Sequence, residues 1–317
     1  AREVHADLII ARDLPLCPTA IVVGRKLQIP VVLDMAENYP AMMQDIWTAG
    51  RHRALDYVVR NPRLTRLVEA YCIKNVAHII TVVDASSQRL EGLGVPDSHL
   101  TVISNTPPLS RTLGRPRERT LEGSARVTVA YLGLLEVPRG LNELIDAIKI
   151  LHDSGHKGFN ARLIGSGRVE ALFHERARHH GLDQNDFEFL GRLPHEEALA
   201  IVGTADIGVI PHHANESWNT TIPNKLFDYM SLGIPVVSSN TRPCEEVLVK
   251  TGAGRVFRSG DASDLAAALL HFETPSVRFR TATAGVAAIV ERYNWETDSA
   301  KLEEVVRGAV EVGLKGR

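Results

Sequence analysis

The stretch Pro223-Asn224-Lys225-Leu226-Phe227-Asp228-Tyr229-Met230 carries the residue types that could grip a nucleotide. It follows a polar loop and runs into a Gly233-Ile234-Pro235 turn. Asn224 and Asp228 are four apart and would share one helical face, with Lys225 beside that face at the helix start. A helix start carries free N–H groups and a partial positive charge, so it attracts a phosphate, and Lys225 adds a point charge there. Asp228, one turn deeper, could accept two hydrogen bonds from vicinal hydroxyls such as those of a ribose. The plainer reading is a packed helix that Pro223 and Asn224 simply start, with Leu226 and Met230 in the core.

Three glycine turns could complete such a site. Tyr131-Leu132-Gly133 ends a strand where backbone can approach a phosphate closely, and Arg139 further along could fork onto diphosphate oxygens. Gly165-Ser166-Gly167 follows a strand and opens a helix, but Glu170 stands where a dinucleotide fingerprint needs its third glycine. Gly191-Arg192-Leu193-Pro194 follows another strand end. Asp13 and Glu37 fall just after two earlier strands, where they could meet a hydroxyl or serve turn chemistry.

The elements that must position these residues alternate regularly. Short, continuously apolar runs at residues 7–11, 30–34, 78–83 and 100–103 alternate with helical stretches at 19–27, 68–75 and 86–93. A second series has strands at 127–132, 161–164, 187–190, 207–210, 236–238 and 254–257. Its helices fall at 141–151, 170–180, 196–203, 225–231 and 262–272, with a tail helix at 297–312. Apolar strands alternating with helices are buried on both faces, which predicts parallel sheets. The fold class expected is α/β, with two Rossmann-like doubly wound domains facing a cleft. Residues 1–113 form the first domain and 114–125, rich in charge, Pro and Gly, a linker. Residues 126–292 form the second domain, and 293–317 a helix that could pack back on the first. The first domain reads as truncated, because no opening strand with a glycine-rich turn precedes residue 7 and Ala1 is not an initiator Met.

Composition excludes several classes. The 317 residues are 44% hydrophobic and 23% charged, which excludes a disordered or collagenous chain. A net charge of −2 supplies no global basic field for nucleic acid. Cys17, Cys72 and Cys244 are too far apart in sequence for a disulfide framework or thiolate metal site, and they fit a reducing, cytoplasmic compartment. His179-His180 and His212-His213 are adjacent pairs, whose side chains diverge on a helix, so no protein-held metal is expected. No apolar run reaches the roughly 18–20 residues of a membrane-spanning helix. The segment 51–66 mixes Arg51, Arg53, Arg60, Arg63 and Arg66 with Leu55, Tyr57, Val58, Val59 and Leu64. It is either a solvated helix face or a contact for a partner or a membrane surface.

In combination, these motifs resemble the retaining glycosyltransferases of the GT-B architecture, glycosyltransferase family four (group 1). The resemblance rests on residues 223–230 with Gly233-Ile234-Pro235-Val236-Val237, and on Ala11-Arg12-Asp13, Asp34-Met35-Ala36-Glu37-Asn38 and Ile103-Ser104-Asn105-Thr106. It implies transfer of a sugar from a nucleotide-diphosphate sugar to a hydroxyl of a sugar or lipid-linked acceptor. The implied setting is bacterial polysaccharide or glycolipid synthesis, in the cytoplasm or peripheral to the inner membrane face, without a cofactor beyond the donor. It implies donor contacts from Gly133, Arg139, Gly165, Ser166, Gly191, Thr220, Ile222, Asn224, Lys225 and Asp228, and catalytic or acceptor-side carboxylates at Asp13, Glu37 and Glu216. The family's helix carries the second acid of a Glu-x7-Glu pair. Asp228 takes that place, Thr220 stands at the first, and Glu216 is a substitute four residues upstream. Leu134 and Ala36 occupy positions where the family often has a basic residue and a histidine. Two rivals remain at this level: a nucleotide-sugar 2-epimerase on similar architecture, and a non-catalytic sugar-nucleotide binder.

Overall fold

The computed structural model describes residues 5–50, 54–111 and 126–315. The expected linker at 114–125 and the run Arg51-His52-Arg53 lie outside them. The chain divides into two compact units. Unit 1 gathers the residues up to Asn105, the short segment Glu216–Ile222 and everything from Trp295 on; unit 2 holds Thr106–Asn215 and Pro223–Asn294. The path therefore passes between units after Asn105, Asn215, Ile222 and Asn294. Glu216, Thr220 and Ile222 thus belong to unit 1, although they sit within the sequence span 126–292.

Unit 1 runs β1 (Ile9–Arg12), α1 (Cys17–Leu27), β2 (Val31–Met35), α2 (Tyr39–Ala49), α3 (Asp56–Val59), α4 (Pro62–Ile73), β3 (His78–Thr81), α5 (Asp84–Gly92) and β4 (Leu100–Val102). Its four strands are parallel, in the order β1-β2-β3-β4. Successive strand side chains point to opposite faces, so each strand feeds two cores. Leu33 and Ile79 pack with Ile21, Cys72 and Leu90 on one face. Val32, Ile80 and Ile103 pack on the other face, where Val305 and Ala309 cover them.

Unit 2 runs β5 (Val127–Leu132), α6 (Leu141–Asp153), β6 (Phe159–Ile164), α7 (Glu170–His179), β7 (Phe187–Phe189), α8 (His195–Val202), β8 (Ile207–Ile210), α9 (Lys225–Ser231), β9 (Val236–Ser239), α10 (Arg242–Thr251), β10 (Gly254–Phe257), α11 (Ala262–Leu270) and α12 (Pro275–Glu291). The final helix, α13 (Trp295–Lys315), returns to unit 1 and carries Val305 and Ala309. The unit 2 sheet is parallel, ordered β10-β9-β8-β5-β6-β7. The order reverses between β5 and β8, and a doubly wound sheet opens a ligand crevice at the carboxyl ends there. Leu141, Leu144, Ile145, Ile148 and Leu151 of α6 are all buried, as their helical spacing requires.

Several helices depart from the sequence reading. α2 is apolar around much of its circumference and has Pro40 in its first turn, so no 3.6-residue stripe stands out. Its start is fixed by Asn38, whose side chain accepts from the Ala41 amide at 3.2 Å. α3 is a single turn. α10 opens on Arg242-Pro243, and α12 is rich in small residues that blur any apolar face. α4 begins six residues earlier than expected, because the Asn61 side chain accepts from the amides of Arg63 (2.9 Å) and Leu64 (3.4 Å) and Pro62 follows it.

Candidate functional site

Two groups of polar residues form, one in each unit. In unit 2 they gather at the carboxyl ends of β5, β6 and β8. Lys225, the first residue of α9, turns its ammonium over the Tyr131 ring, 4.1 Å from the centroid. The same nitrogen lies 3.4 Å from Nε2 of His212, which follows β8 by two residues. Arg139, closing the short turn Val137–Arg139, brings a guanidinium nitrogen to 3.4 Å from that Nε2. His212 thus stands between two cations and can accept from both through Nε2.

Local sequence makes these approaches possible. Gly133 has φ of +145°, and a side-chain carbon there would sit 2.7 Å from the Lys225 nitrogen. Gly140 has φ of +70°, and a Cβ would lie 1.7 Å from the Pro211 carbonyl oxygen, so only glycine lets the loop that bears Arg139 close on the end of β8. The Tyr131 hydroxyl donates to the Leu134 carbonyl at 2.7 Å, fixing the turn after Gly133. The Leu132 amide donates to the Tyr229 hydroxyl at 3.0 Å, so α9 is tied to the end of β5. Gly165 donates its amide to the Gly191 carbonyl at 2.8 Å, and the Ser166 carbonyl accepts from the Leu135 amide at 3.1 Å. The three glycine turns are therefore one hydrogen-bonded rim.

Electrostatics follow from this crowding. Burial, then the neighbouring charges of Lys225 and Arg139, hold the His212 imidazole well below its ordinary pKa. It is neutral near neutral pH. Burial and Arg139 likewise hold Lys225 well below the ordinary lysine value, with Asp228 and Cys244 opposing. Asp228, half-buried on α9, is thus close enough to act on Lys225 through its charge. Two cations around a neutral imidazole make a cradle suited to an incoming dianion or diphosphate.

One expectation changes in character. α9 has only seven residues, and its Leu226 and Phe227 amides already donate to the carbonyls of Pro223 and Asn224 at 3.0 Å. Its positive end is supplied by the Lys225 side chain more than by free amides. Asn224 is exposed and makes no side-chain capping bond.

The unit 1 group centres on Asp13 and Glu37, which follow β1 and β2. Asp13 has φ 63° and ψ 165°, a region that few residues other than glycine adopt. Its amide donates to the Asp34 carbonyl at 2.8 Å, and its Oδ1 accepts from the Ala36 amide at 3.1 Å. Arg12 donates to Asp34 at 2.6 Å and lies 3.7 Å from Asp13. Burial, then the charges of Asp13 and Glu37, push the Tyr39 phenol up, so both carboxylates lie near its ring. Thr221 donates its hydroxyl to the Ala36 carbonyl at 3.0 Å, securing segment 216–222 beside Glu37. Thr220 donates instead into its own turn, to the carbonyls of Glu216 (3.0 Å) and Ser217 (3.2 Å). Ile222 is buried. Glu216 is exposed; after burial, its charge raises the Asp45 pKa.

Of the residues singled out in the sequence, Gly133, Arg139, Gly165, Ser166, Gly191, Asn224, Lys225 and Asp228 share unit 2, and Asp13, Glu37, Glu216, Thr220 and Ile222 share unit 1. Tyr131, Tyr229 and His212 had no distinguishing signal. The sequence reading gives neither tyrosine a role of its own, and His212 enters it only as half of an adjacent pair. Among the described residues no three metal-ligating side chains cluster.

Comparison with known proteins gives the arrangement its context. Residues 126–273 match the family described as glycosyl transferases group 1. Glycogen synthase of Mycobacterium tuberculosis is 24% identical over 313 residues, covering 97% of this chain and 70% of that protein. The amylovoran biosynthesis glycosyltransferase AmsK of Erwinia amylovora is 33% identical over 133 residues, 42% of this chain and 32% of that one. Among solved structures, Anabaena HepE in complex with UDP superposes with a TM-score of 0.76 at 18% identity, covering 95% of this chain and 79% of that one. The chain is a group 1 glycosyltransferase with the GT-B fold.

Proposed function

We propose that this glycosyltransferase takes a nucleotide-diphosphate sugar in unit 2 and retains the configuration of the sugar as it passes to a hydroxyl acceptor. The observation that carries the reading is the Lys225–His212–Arg139 cluster at the switch point of a doubly wound sheet, with a carboxylate one helical turn away. Lys225 and Arg139 meet the diphosphate and stabilise the charge that builds as the glycosidic bond breaks. Backbone at Gly133, Gly165 and Gly191 offers close approach to the rest of the donor. Asp228 accepts hydrogen bonds from the ribose hydroxyls. The acceptor oxygen attacks the anomeric carbon on the face that the diphosphate leaves, and a diphosphate oxygen takes the acceptor proton. Unit 1 offers Asp13, Glu37 and Glu216 as acceptor-side carboxylates.

Uridine is the base to test first, since HepE is complexed with UDP. Polysaccharide synthesis is the setting of AmsK and glycogen synthase, by their names, and the acceptor class follows that lead. The work falls on the cytoplasmic side, in keeping with three buried free thiols among the described residues.

The test is titration of UDP and GDP against the protein and a Lys225→Ala variant, followed by thin-layer and NMR analysis of products from the corresponding sugar nucleotides. Saturable binding weakened at least about tenfold in the variant, with an α-configured product from an α-configured donor, supports the reading. Conversion of the sugar nucleotide with no acceptor present would identify an epimerase instead. Tight binding without turnover across an acceptor panel would leave only a sugar-nucleotide binder.

A further inference from the structure

The residue after His212 is tied into the turn that carries Arg139. The His213 amide donates to the Pro138 carbonyl at 3.0 Å. The His213 ring donates through Nε2 to Oε1 of Glu143, in the first turn of α6, at 2.9 Å. Between these two bonds, Gly140 approaches the Pro211 carbonyl too closely to admit a side chain. The end of β8 is thus pinned on both sides of Arg139, by a backbone bond before it and a side-chain bond after it. The far side of the same loop is fastened as well. The Ser239 hydroxyl donates to the His212 carbonyl, and the Ala214 amide donates to the Ser259 hydroxyl at 2.7 Å.

The Glu143–His213 pair contributes little to the core. α6 packs through Leu141, Leu144, Ile145 and Ile148, while the His213 side chain is 37% exposed. Glu143 is nonetheless drawn inward to 17% exposure, and its Oε2 is buried with no hydrogen-bond partner. Asp146, one turn on, is engaged by Arg176 and His180. Among the described residues His213 is therefore the one side chain that hydrogen-bonds the Glu143 carboxylate. Burial opposes ionisation of Glu143, yet the His213 bond holds its carboxyl below the ordinary value, and the same bond raises His213. A carboxylate desolvated for a single bond is costly, and here that bond orders the loop of the cation cluster.

We propose that Glu143 and His213 are positioning residues for the diphosphate cradle, holding Arg139 opposite Lys225 across the His212 ring. Arg139 and Lys225 repel one another, so without the tether the turn bearing Arg139 relaxes away from the imidazole. The pair acts through Arg139 and His212 and not on the donor itself. The diphosphate role rests on the donor reading of unit 2; the geometry of the cluster in the free protein does not.

The test compares Glu143→Ala with Glu143→Gln. Both remove the carboxylate charge, but only glutamine keeps an acceptor for His213. In the free protein, nitrogen NMR follows the His212 ring, whose pKa is held down by burial, Lys225, Arg139 and His213. Glu143→Ala should move the ring signals and raise the pKa, and Glu143→Gln should stay close to the parent. Titration of UDP is the second measurement. Glu143→Ala should weaken binding about tenfold and Glu143→Gln by less than about threefold. In an Arg139→Ala background, Glu143→Ala should cost almost nothing more, a coupling that a merely structural role would not produce. His213→Ala removes the other end of the tether and should behave as Glu143→Ala does in the same cycle. Equal effects of the alanine and glutamine variants on His212, or losses that simply add in the cycle, overturn the proposal. If the parent binds no UDP, the donor reading fails, and the His212 signals alone decide the positioning role.

Discussion

The ammonium of Lys225 rests 4.1 Å from the centre of the Tyr131 ring, and the hydroxyl of that ring holds the Leu134 carbonyl. One aromatic side chain therefore positions a cation and the glycine turn facing it. Tyr131→Phe keeps the ring and removes the hydroxyl, so it tests the turn alone. UDP affinity should fall by about 3–10-fold, the worth of one hydrogen bond, while Tyr131→Leu should cost more because the ring contact is lost too. Isothermal titration of both variants checks this; equal losses would show that the hydroxyl contributes nothing.

Asp228 lies close enough to act electrostatically on Lys225 and is assigned to the ribose. Asp228→Asn should raise the donor KM and lower kcat/KM by about 1–3 kcal/mol if a charged hydrogen bond to the ribose is lost. A 2′-deoxy donor compared in both proteins supplies the control. The variant should be nearly indifferent to the missing hydroxyl, whereas the parent should discriminate against it.

Proton linkage provides a third test. In the free protein, burial and Arg139 lower the Lys225 pKa; a bound diphosphate puts negative charge beside the ammonium and raises it again. Between the two values, binding takes up a proton, so affinity falls as pH rises; below both values the lysine is charged in either state and affinity is flat. UDP affinity should therefore decline as pH rises from the lowered Lys225 value towards the ordinary lysine value, and Lys225→Arg should flatten the slope. An affinity independent of pH across that range in the parent would remove Lys225 from the diphosphate.

Stability of unit 1 should hinge on Arg89. Its guanidinium donates to both oxygens of Glu69 at 2.8 and 3.1 Å, with the two side chains 17% and 5% exposed. Arg89→Ala leaves a buried carboxylate without its cation and should cost about 3–5 kcal/mol. Arg89→Ala with Glu69→Leu should recover much of that loss in thermal or urea unfolding. A double variant no better than the single one would point to lost packing as the cause.

Residues whose chemistry shows in local spacing were legible from the sequence alone. The ten strands of the described residues were readable, most plainly β2, β3, β8 and β9, because parallel strands buried on two faces are continuous apolar runs. α6 was readable because Leu141, Leu144, Ile145 and Ile148 form one stripe. α2 was not, since Tyr39-Pro40-Ala41-Met42-Met43 has no polar face to mark a period. Lys225 and Asp228 stood out by type and spacing. His212 and Tyr131 did not, because their importance arises only when β5 and β8 become neighbours across the reversal in strand order. The surroundings of Thr220 were legible only in part, for a related reason. Its eight-residue distance from Asp228 is a sequence relation, whereas Thr221 is bonded to Ala36, 185 positions away.

The four passages of the backbone between the units restrict how such a protein can be rebuilt by genetic exchange. A crossover upstream of residue 126 would deliver a new front half while leaving Glu216–Ile222 and α13 behind on the parental gene. The incoming Val32 and Ile80 would then meet a foreign Val305 and Ala309. Exchange of unit 1 is accordingly a matter of replacing three separated tracts together, and not of shuffling a self-contained module.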